Sequence, residues 1–222
     1  MYNKKILKQE RKMNMKVILV NGSPHAHGCT YTALKEIATT LEKQGIETEI
    51  FQLGTKPIGG CIACNSCIKN GGKCFMNEDP VNEFVEKAKQ ADGFVFGSPV
   101  HYAAASGALT SFMDRAFYGK GKVFADKPAA GIVSCRRGGA SAAFDQINKY
   151  FTICNMPVVS SQYWNQVHGR TPEEVVQDEE GMQTMRTLGV NMAWLLKCIE
   201  AGKKAGVKMP EREATIPTNF IR

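Results

Sequence analysis

The chain has 222 residues, of which 43% are hydrophobic and 22% charged, a composition typical of one α/β domain in a globular protein. Its formal net charge is +7, of which residues 1–16, with six basic residues and Glu10, carry +5. The rest of the chain therefore carries only +2, and we expect no nucleic-acid-binding surface. No apolar run approaches the roughly 20 residues that cross a bilayer, and Val17–Val20 is shorter than the core of a secretory signal. We therefore expect a cytoplasmic protein with a basic extension over residues 1–14 and a single domain over residues 15–222.

Short apolar runs alternate with amphipathic segments along the rest of the chain, which predicts alternating strands and helices. The predicted strands are Lys16–Asn21, Glu47–Leu53, Gly93–Ser98, Ala129–Ser134 and Pro157–Gln162. The predicted helices are Thr30–Gln44, Asp79–Gln90, Ser106–Tyr118, Ala142–Phe151 and approximately Glu179–Lys204. This alternation indicates a three-layer α/β fold, in which helices cover both faces of a five-stranded parallel sheet.

Three segments that follow predicted strands consist of small, polar or turn-forming residues: Gly22–Thr30, Pro99–Tyr102 and Ser134–Gly139. Ligands of parallel sheets bind beyond the carboxyl ends of the strands, and a strand order of 2-1-3-4-5 would bring these segments together. The first segment enters a helix and offers backbone N–H groups to an anion. It matches neither the Walker motif nor the dinucleotide fingerprint, so it predicts either a phosphate site or a simple capped turn.

Four cysteines are clustered in a loop over residues 59–76, inserted after the second predicted strand, with the spacing Cys61-x2-Cys64-x2-Cys67-x6-Cys74. Closely spaced cysteines of this kind are typical of a [4Fe–4S] site. Structural zinc sites instead place a longer run between two Cys-x2-Cys pairs, and a reducing cytosol disfavours disulfides. From the spacing alone, a cluster, free thiols, zinc and a disulfide remain alternatives.

Three motifs together resemble the NADPH-dependent FMN reductase family, whose members have the flavodoxin-like fold. They are Asn21–Pro24 with Gly28–Thr30, then Gly97–Tyr102, and Ser106–Arg115. The likeness extends from about Met15 to Met156. It implies a bound FMN and NAD(P)H as the hydride donor.

The resemblance implies three sets of flavin contacts. The FMN phosphate would be held by Ser23, His25, Gly28, Cys29 and Thr30, where Cys29 replaces a frequent family asparagine and offers its backbone N–H. The flavin ring and ribityl chain would be lined by Pro99, Val100, His101 and Tyr102. The pyrimidine side would be lined by Ser134, Arg136, Arg137, Gly138 and Gly139. From the residues alone, the arginines can also be a solvated surface pair and His101 an ordinary loop histidine.

The cysteine segment resembles the compact motif of iron–sulfur flavoproteins, a branch of the same family. This implies that Cys61, Cys64, Cys67 and Cys74 ligate a [4Fe–4S] cluster in a homodimer or homotetramer. The function implied is an FMN-dependent NAD(P)H oxidoreductase that delivers electrons to a quinone, a flavin or an iron–sulfur centre. Because the flavin supplies the redox chemistry, no catalytic acid, base or nucleophile is needed. The alternatives are an electron carrier between partners such as ferredoxin, and a redox- or iron-sensing protein.

Overall fold

Two layers of helices enclose a mainly parallel sheet in the computed structural model, which describes residues 15–216, 218 and 220. The predicted basic extension over residues 1–14 lies outside the described residues. The strands are β1 (Lys16–Asn21), β2 (Glu47–Gln52), β3 (Gly93–His101), β4 (Ala104–Ala105), β5 (Ala129–Cys135) and β6 (Gln166–His168). The helices are α1 (Cys29–Lys43), α2 (Ser66–Lys69), α3 (Val81–Ala88), α4 (Gly107–Phe124), α5 (Ala140–Ile153), α6 (Pro172–Gln177) and α7 (Glu179–Lys204).

The central strand β1 is buried on both faces, which explains its unbroken run of apolar residues. Ile18 and Val20 pack into a cluster with α3, α4 and α5, while Val17 and Leu19 pack on the other face with α1, α6 and α7. The sheet order is β2-β1-β3-β5-β6, and β4 pairs antiparallel with β3. These features confirm the predicted three-layer fold and its strand order.

The predicted position of the fifth strand, Pro157–Gln162, is wrong. Only Val158 bridges to β5, at Ala129, and the strand proper is the later segment β6. Between them the chain leaves the sheet and exposes two aromatic side chains, at positions 163 and 164. It returns at Asn165, whose buried side chain donates to the carbonyl of Gly131 and whose own carbonyl accepts from Val133 N–H. The apolar run at 157–162 therefore correctly predicted a segment beside β5, but it did not reveal that the chain leaves the sheet before β6.

Two short elements were absent from the prediction. The strand β4 arises because β3 runs on to His101 and folds back through a two-residue turn. The helix α2 lies inside the cysteine loop. In addition, α4 continues past the predicted end at Tyr118 to Phe124, which is fully buried and packs in the core. None of the described helices is long and apolar enough to cross a membrane.

Candidate functional site

Three loops meet at the carboxyl ends of β1, β3 and β5, as the strand order predicted. Gly22 N–H donates to the carbonyl of Gly97 at 2.8 Å, and the Ser106 hydroxyl donates to the carbonyl of Gly22, also at 2.8 Å. The hydroxyls of Thr30 and Ser134, 104 positions apart, hydrogen-bond at 2.8 Å. We call this region the three-loop edge: residues 22–30, 99–106 and 134–139.

The first loop ends at the N-terminus of α1, which has free capacity to bind an anion. Thr32 N–H is bonded to the carbonyl of Gly28, so the N–H groups of Cys29, Thr30 and Tyr31 precede the first intrahelical bond. No side chain in the described part of the chain caps this end. A Cβ at Gly28 would lie 2.9 Å from the Cβ of His25, so the close turn of the loop requires glycine there. Unpaired N–H groups and the helix dipole together favour a phosphate.

The side chains predicted to hold a phosphate differ in how they are placed. Ser23 and Thr30 are buried, and the Ser23 hydroxyl accepts from His25 N–H at 3.1 Å. The His25 side chain is exposed at the loop surface. Cys29 begins α1, its sulfur lies 3.7 Å from the carbonyl of Gly169, and burial raises the pKa of its thiol. The Cys29 side chain therefore faces Gly169, while its backbone N–H is one of the three at the start of α1.

The start of this loop is held by two amides, the buried Asn21 and the partly buried Gln52, of which Gln52 was not singled out from the sequence. Asn21 Nδ2 donates to Gln52 Oε1 at 2.6 Å, and its Oδ1 accepts from Ser23 N–H. Gln52 Nε2 donates to the carbonyl of Ser23 at 2.7 Å. In the sequence, this pair is marked by a polar residue at the end of each of two adjacent strands. Polar side chains at such positions are buried only where they are hydrogen-bonded, which predicts that the two meet.

The second loop is the β3–β4 hairpin, and it presents Tyr102 at its tip. Tyr102 and Ala103 form the two-residue turn with φ of 50° and 59°, positive values that a type I′ turn requires and that non-glycine residues adopt rarely. The Tyr102 side chain is fully exposed, and His101 beside it is exposed as well. The hairpin is held by a bond from Ala105 N–H to Gln146 Oε1 at 3.0 Å. The result is an aromatic ring at the edge of the site, available for stacking.

The third loop follows β5 and packs against this hairpin. Gly139 has a φ of +88°, and a Cβ there would lie 2.7 Å from the Cα of Ala103. Arg136, Arg137 and Gly138 are exposed, whereas Ser134 is buried beside Thr30. The loop thus brings two exposed cations and a glycine-containing backbone to the three-loop edge. Backbone donors together with an exposed aromatic ring and two cations suit a planar ligand that carries a phosphate tail.

The four clustered cysteines form a second site, on the face of the sheet covered by α3 and α4. Cys61, Cys64, Cys67 and Cys74 line one pocket, together with apolar side chains such as Ile62 and Phe75. The loop curls because four of its residues have positive φ: Ala63, Asn65, Gly71 and Gly72. None of these cysteines is in a disulfide.

The cysteine pocket fits a metal centre held by thiolates, because all four possible donors are cysteine sulfurs and all four line the same pocket. Cys64 and Cys61 are exposed, while Cys67 and Cys74 are partly buried. A hydrogen bond with the Ser66 hydroxyl, 3.3 Å away, lowers the pKa of Cys64, which favours the thiolate that metals bind. In the described residues the thiols are not drawn together: no three His, Cys, Asp or Glu side chains form a group that could hold one metal ion.

A buried arginine that carried no assigned role in the sequence analysis ties this loop to α4. The Arg115 side chain is 1% exposed and donates to the Cys74 sulfur, to two loop carbonyls and to Asp79. At the next helical turn, a Cβ on Gly119 would lie 2.9 Å from the carbonyl of Gly72 and 3.3 Å from the Cβ of Cys67. The cysteine loop is therefore held against α4 at two points, by the hydrogen bonds of Arg115 and by its close packing on Gly119.

Comparison with known proteins agrees with this geometry. Residues 15–170 match the family described as NADPH-dependent FMN reductase. An iron–sulfur flavoprotein of Methanocaldococcus jannaschii is 35% identical over 197 residues, covering 84% of this chain and 100% of that protein. A second iron–sulfur flavoprotein of the same organism is 31% identical over 186 residues, covering 78% of this chain and 92% of that protein.

The solved structure of a flavodoxin from the domain Archaea superposes with a TM-score of 0.56 at 16% sequence identity. The match covers 82% of this chain and 99% of that one. This likeness confirms the flavodoxin-like fold, and the sequence relatives confirm the predicted family. The chain therefore belongs to the NADPH-dependent FMN reductase family, in its iron–sulfur flavoprotein branch.

Proposed function

We propose that the chain binds FMN at the three-loop edge and works as an NAD(P)H-dependent oxidoreductase. The observation that carries the proposal is the convergence of the uncapped N-terminus of α1, the Tyr102 hairpin and the cationic third loop at one end of the sheet. Family membership supports the same conclusion, since the family is described by FMN reduction with NADPH. When bound, FMN would supply hydride acceptance and onward electron transfer.

In this proposal the protein binds and orients the cofactor. The N–H groups of Cys29, Thr30 and Tyr31 would donate to the phosphate, with the hydroxyls of Ser23 and Thr30 beside them. Pro99, Val100, His101 and Tyr102 would line the ring and the ribityl chain. Gly138 and Gly139 would offer backbone donors to the pyrimidine edge, and Arg136 and Arg137 would place positive charge there. That charge stabilises the negative charge that develops on the ring during reduction.

Titration of the apoprotein with FMN and with riboflavin tests this site. Binding is followed by the quenching of flavin fluorescence. We expect the protein to bind FMN with far higher affinity than riboflavin, because only FMN carries the phosphate. Thr30→Val should weaken FMN binding by roughly tenfold, the effect of losing about 1.4 kcal/mol of hydrogen-bond free energy, and should weaken riboflavin binding less, since riboflavin has no phosphate.

Thr40→Val is the matched control. Thr40 lies on the same helix with its hydroxyl bonded to the carbonyl of Glu36, far from the loop. Equal affinities for FMN and riboflavin, or equal effects of the two substitutions, would contradict the assignment of the phosphate site.

We further propose that Cys61, Cys64, Cys67 and Cys74 ligate a [4Fe–4S] cluster, in a homodimer or homotetramer. The chemistry of four thiolates at one pocket and the iron–sulfur names of the relatives support this. Arg115, whose Nε contacts the Cys74 sulfur, lies nine residues after Ser106, the N-cap of α4, or about 13.5 Å along the helix.

Anaerobic reconstitution with iron and sulfide, followed by removal with a chelator, tests the cluster. We expect iron and sulfide in equal amounts and a broad absorption that disappears on chelation, leaving the flavin bands. Cys67→Ser should lose the iron, whereas Cys198→Ser, at an exposed position on α7, should retain it. Flavin bands alone would support free thiols, and zinc in place of iron would support a structural metal.

An electron carrier is a second candidate, favoured by the surface around the cysteines. Ile62, Ile68, Phe75 and Tyr118 are all more than half exposed there, a concentration of apolar side chains that suits a protein partner. Steady-state oxidation of NADH and NADPH distinguishes the candidates. Turnover with a quinone or free flavin supports the enzyme, while flavin reduction only by a reduced ferredoxin supports the carrier.

A further inference from the structure

Arg115 connects both ends of the cysteine loop to the core of the domain. Its Nη1 donates to the carbonyl of Gly59 at 3.2 Å, just before the first cysteine, and its Nη2 donates to the carbonyl of Met76 at 2.6 Å, just after the last. Its Nε points to the Cys74 sulfur at 3.3 Å. A planar guanidinium can satisfy acceptors in these directions at once, which a lysine ammonium on a flexible stem cannot.

Cys74 is hydrogen-bonded through its backbone N–H, its carbonyl and its sulfur. Its N–H donates to Asn82 Oδ1 and its carbonyl accepts from Asn82 Nδ2, both at 2.9 Å, so its backbone is clamped at the start of α3. In the described part of the chain it is also the one cysteine of the four whose sulfur receives a hydrogen bond from a cation. The sulfur of Cys64, by contrast, contacts the neutral hydroxyl of Ser66.

We propose that Arg115 is a positioning residue that raises the reduction potential of the cluster through its hydrogen bond to the Cys74 sulfur. This inference rests on the proposed ligation of a cluster by the four cysteines. An electron added to a cluster spreads negative charge onto the ligand sulfurs. An N–H donor and a buried positive charge stabilise that reduced form more than the oxidised form, and hydrogen bonds to sulfur are among the factors that set such potentials.

The carboxylate of Asp79 acts in the opposite direction. It pairs with Nη1 of Arg115, whereas the Cys74 sulfur accepts from Nε, and it neutralises part of the cation's field. Removing the charge of Asp79 while keeping Arg115 should therefore raise the potential, and removing the Nε–H···S bond should lower it. A role of Arg115 in loop stability alone predicts no such opposition of sign, because both changes loosen the same contact.

The test is a spectroelectrochemical titration of the reconstituted full-length holoprotein, with iron and sulfide measured for each variant. We expect Arg115→Lys to shift the midpoint potential of the cluster to a more negative value, although the charge is retained. Asp79→Asn should shift it to a more positive value. Arg186→Lys, which alters an exposed ion pair with Glu36, should leave it unchanged.

The inference is overturned if Arg115→Lys has the potential of the unmodified protein, or if the two substitutions shift it in the same direction. Should Arg115→Lys take up no iron, the sign for Asp79→Asn decides: an unchanged or more negative value overturns the inference. Absence of iron and sulfide from the unmodified protein overturns the cluster proposal together with this inference, whereas an intact cluster with an insensitive potential overturns this inference alone.

Discussion

Replacing Gly139 with alanine is expected to destabilise the domain by about 2–5 kcal/mol and to abolish FMN binding. The φ of +88° lies in the left-handed region, where an L-residue costs about 1–2 kcal/mol. The added Cβ would also lie 2.7 Å from the Cα of Ala103 and 3.2 Å from Val100 Cγ1, and overpacking of this kind costs about 1–3 kcal/mol. Since the nearest atom belongs to the backbone, a side-chain rotation cannot relieve the contact.

The same change would move the hairpin that presents Tyr102, so the flavin contacts proposed for the second and third loops would be lost together. Gly138→Ala is the matched control, because a Cβ at Gly138 has nothing within 4 Å. Urea unfolding gives the change in the free energy of unfolding, and fluorescence titration gives the affinity for FMN. Similar results for the two adjacent alanines would contradict the packing of the third loop against the hairpin.

Asp79→Ala is expected to lower the free energy of unfolding by about 3–5 kcal/mol, the cost of leaving a buried charge without its partner. Asp79 is 10% exposed and Arg115 is 1% exposed, so water cannot replace the lost carboxylate. Asp79 Oδ1 also accepts from Val81 N–H at 3.2 Å at the start of α3, and this bond is lost as well. Urea unfolding at low and high salt measures the effect, which should change little with salt because the pair is buried.

Glu78→Ala supplies the control for this second prediction, since Glu78 is the exposed neighbouring carboxylate. In an Arg115→Met background, Asp79→Ala should cost much less, because the uncompensated cation is then absent. A cost for Asp79→Ala that equals that of Glu78→Ala would contradict the central role of the ion pair in holding the cysteine loop.

The sequence by itself determined the layers of the fold and the position of the three loops. Hydrophobic periodicity and turn-forming residues are local properties, and they located β1, α1 and α7 within two residues. The cysteine spacing singled out four residues that line one pocket in the structure, and their ligation of a cluster stays a prediction. The family likeness rested on the same local motifs, and the match over residues 15–170 confirms it.

Tertiary structure alone decided the features that depend on contacts between distant residues. The fifth strand begins only at Gln166, and just before it the Asn165 side chain donates to the carbonyl of Gly131, a contact 34 positions away that no local pattern encodes. Thr30 meets Ser134, and Arg115 meets Cys74, across 104 and 41 positions of the chain. A buried hydroxyl or guanidinium can be bonded only to the partners that folding brings beside it, so the sequence supplied the chemical groups and the packing selected their pairs.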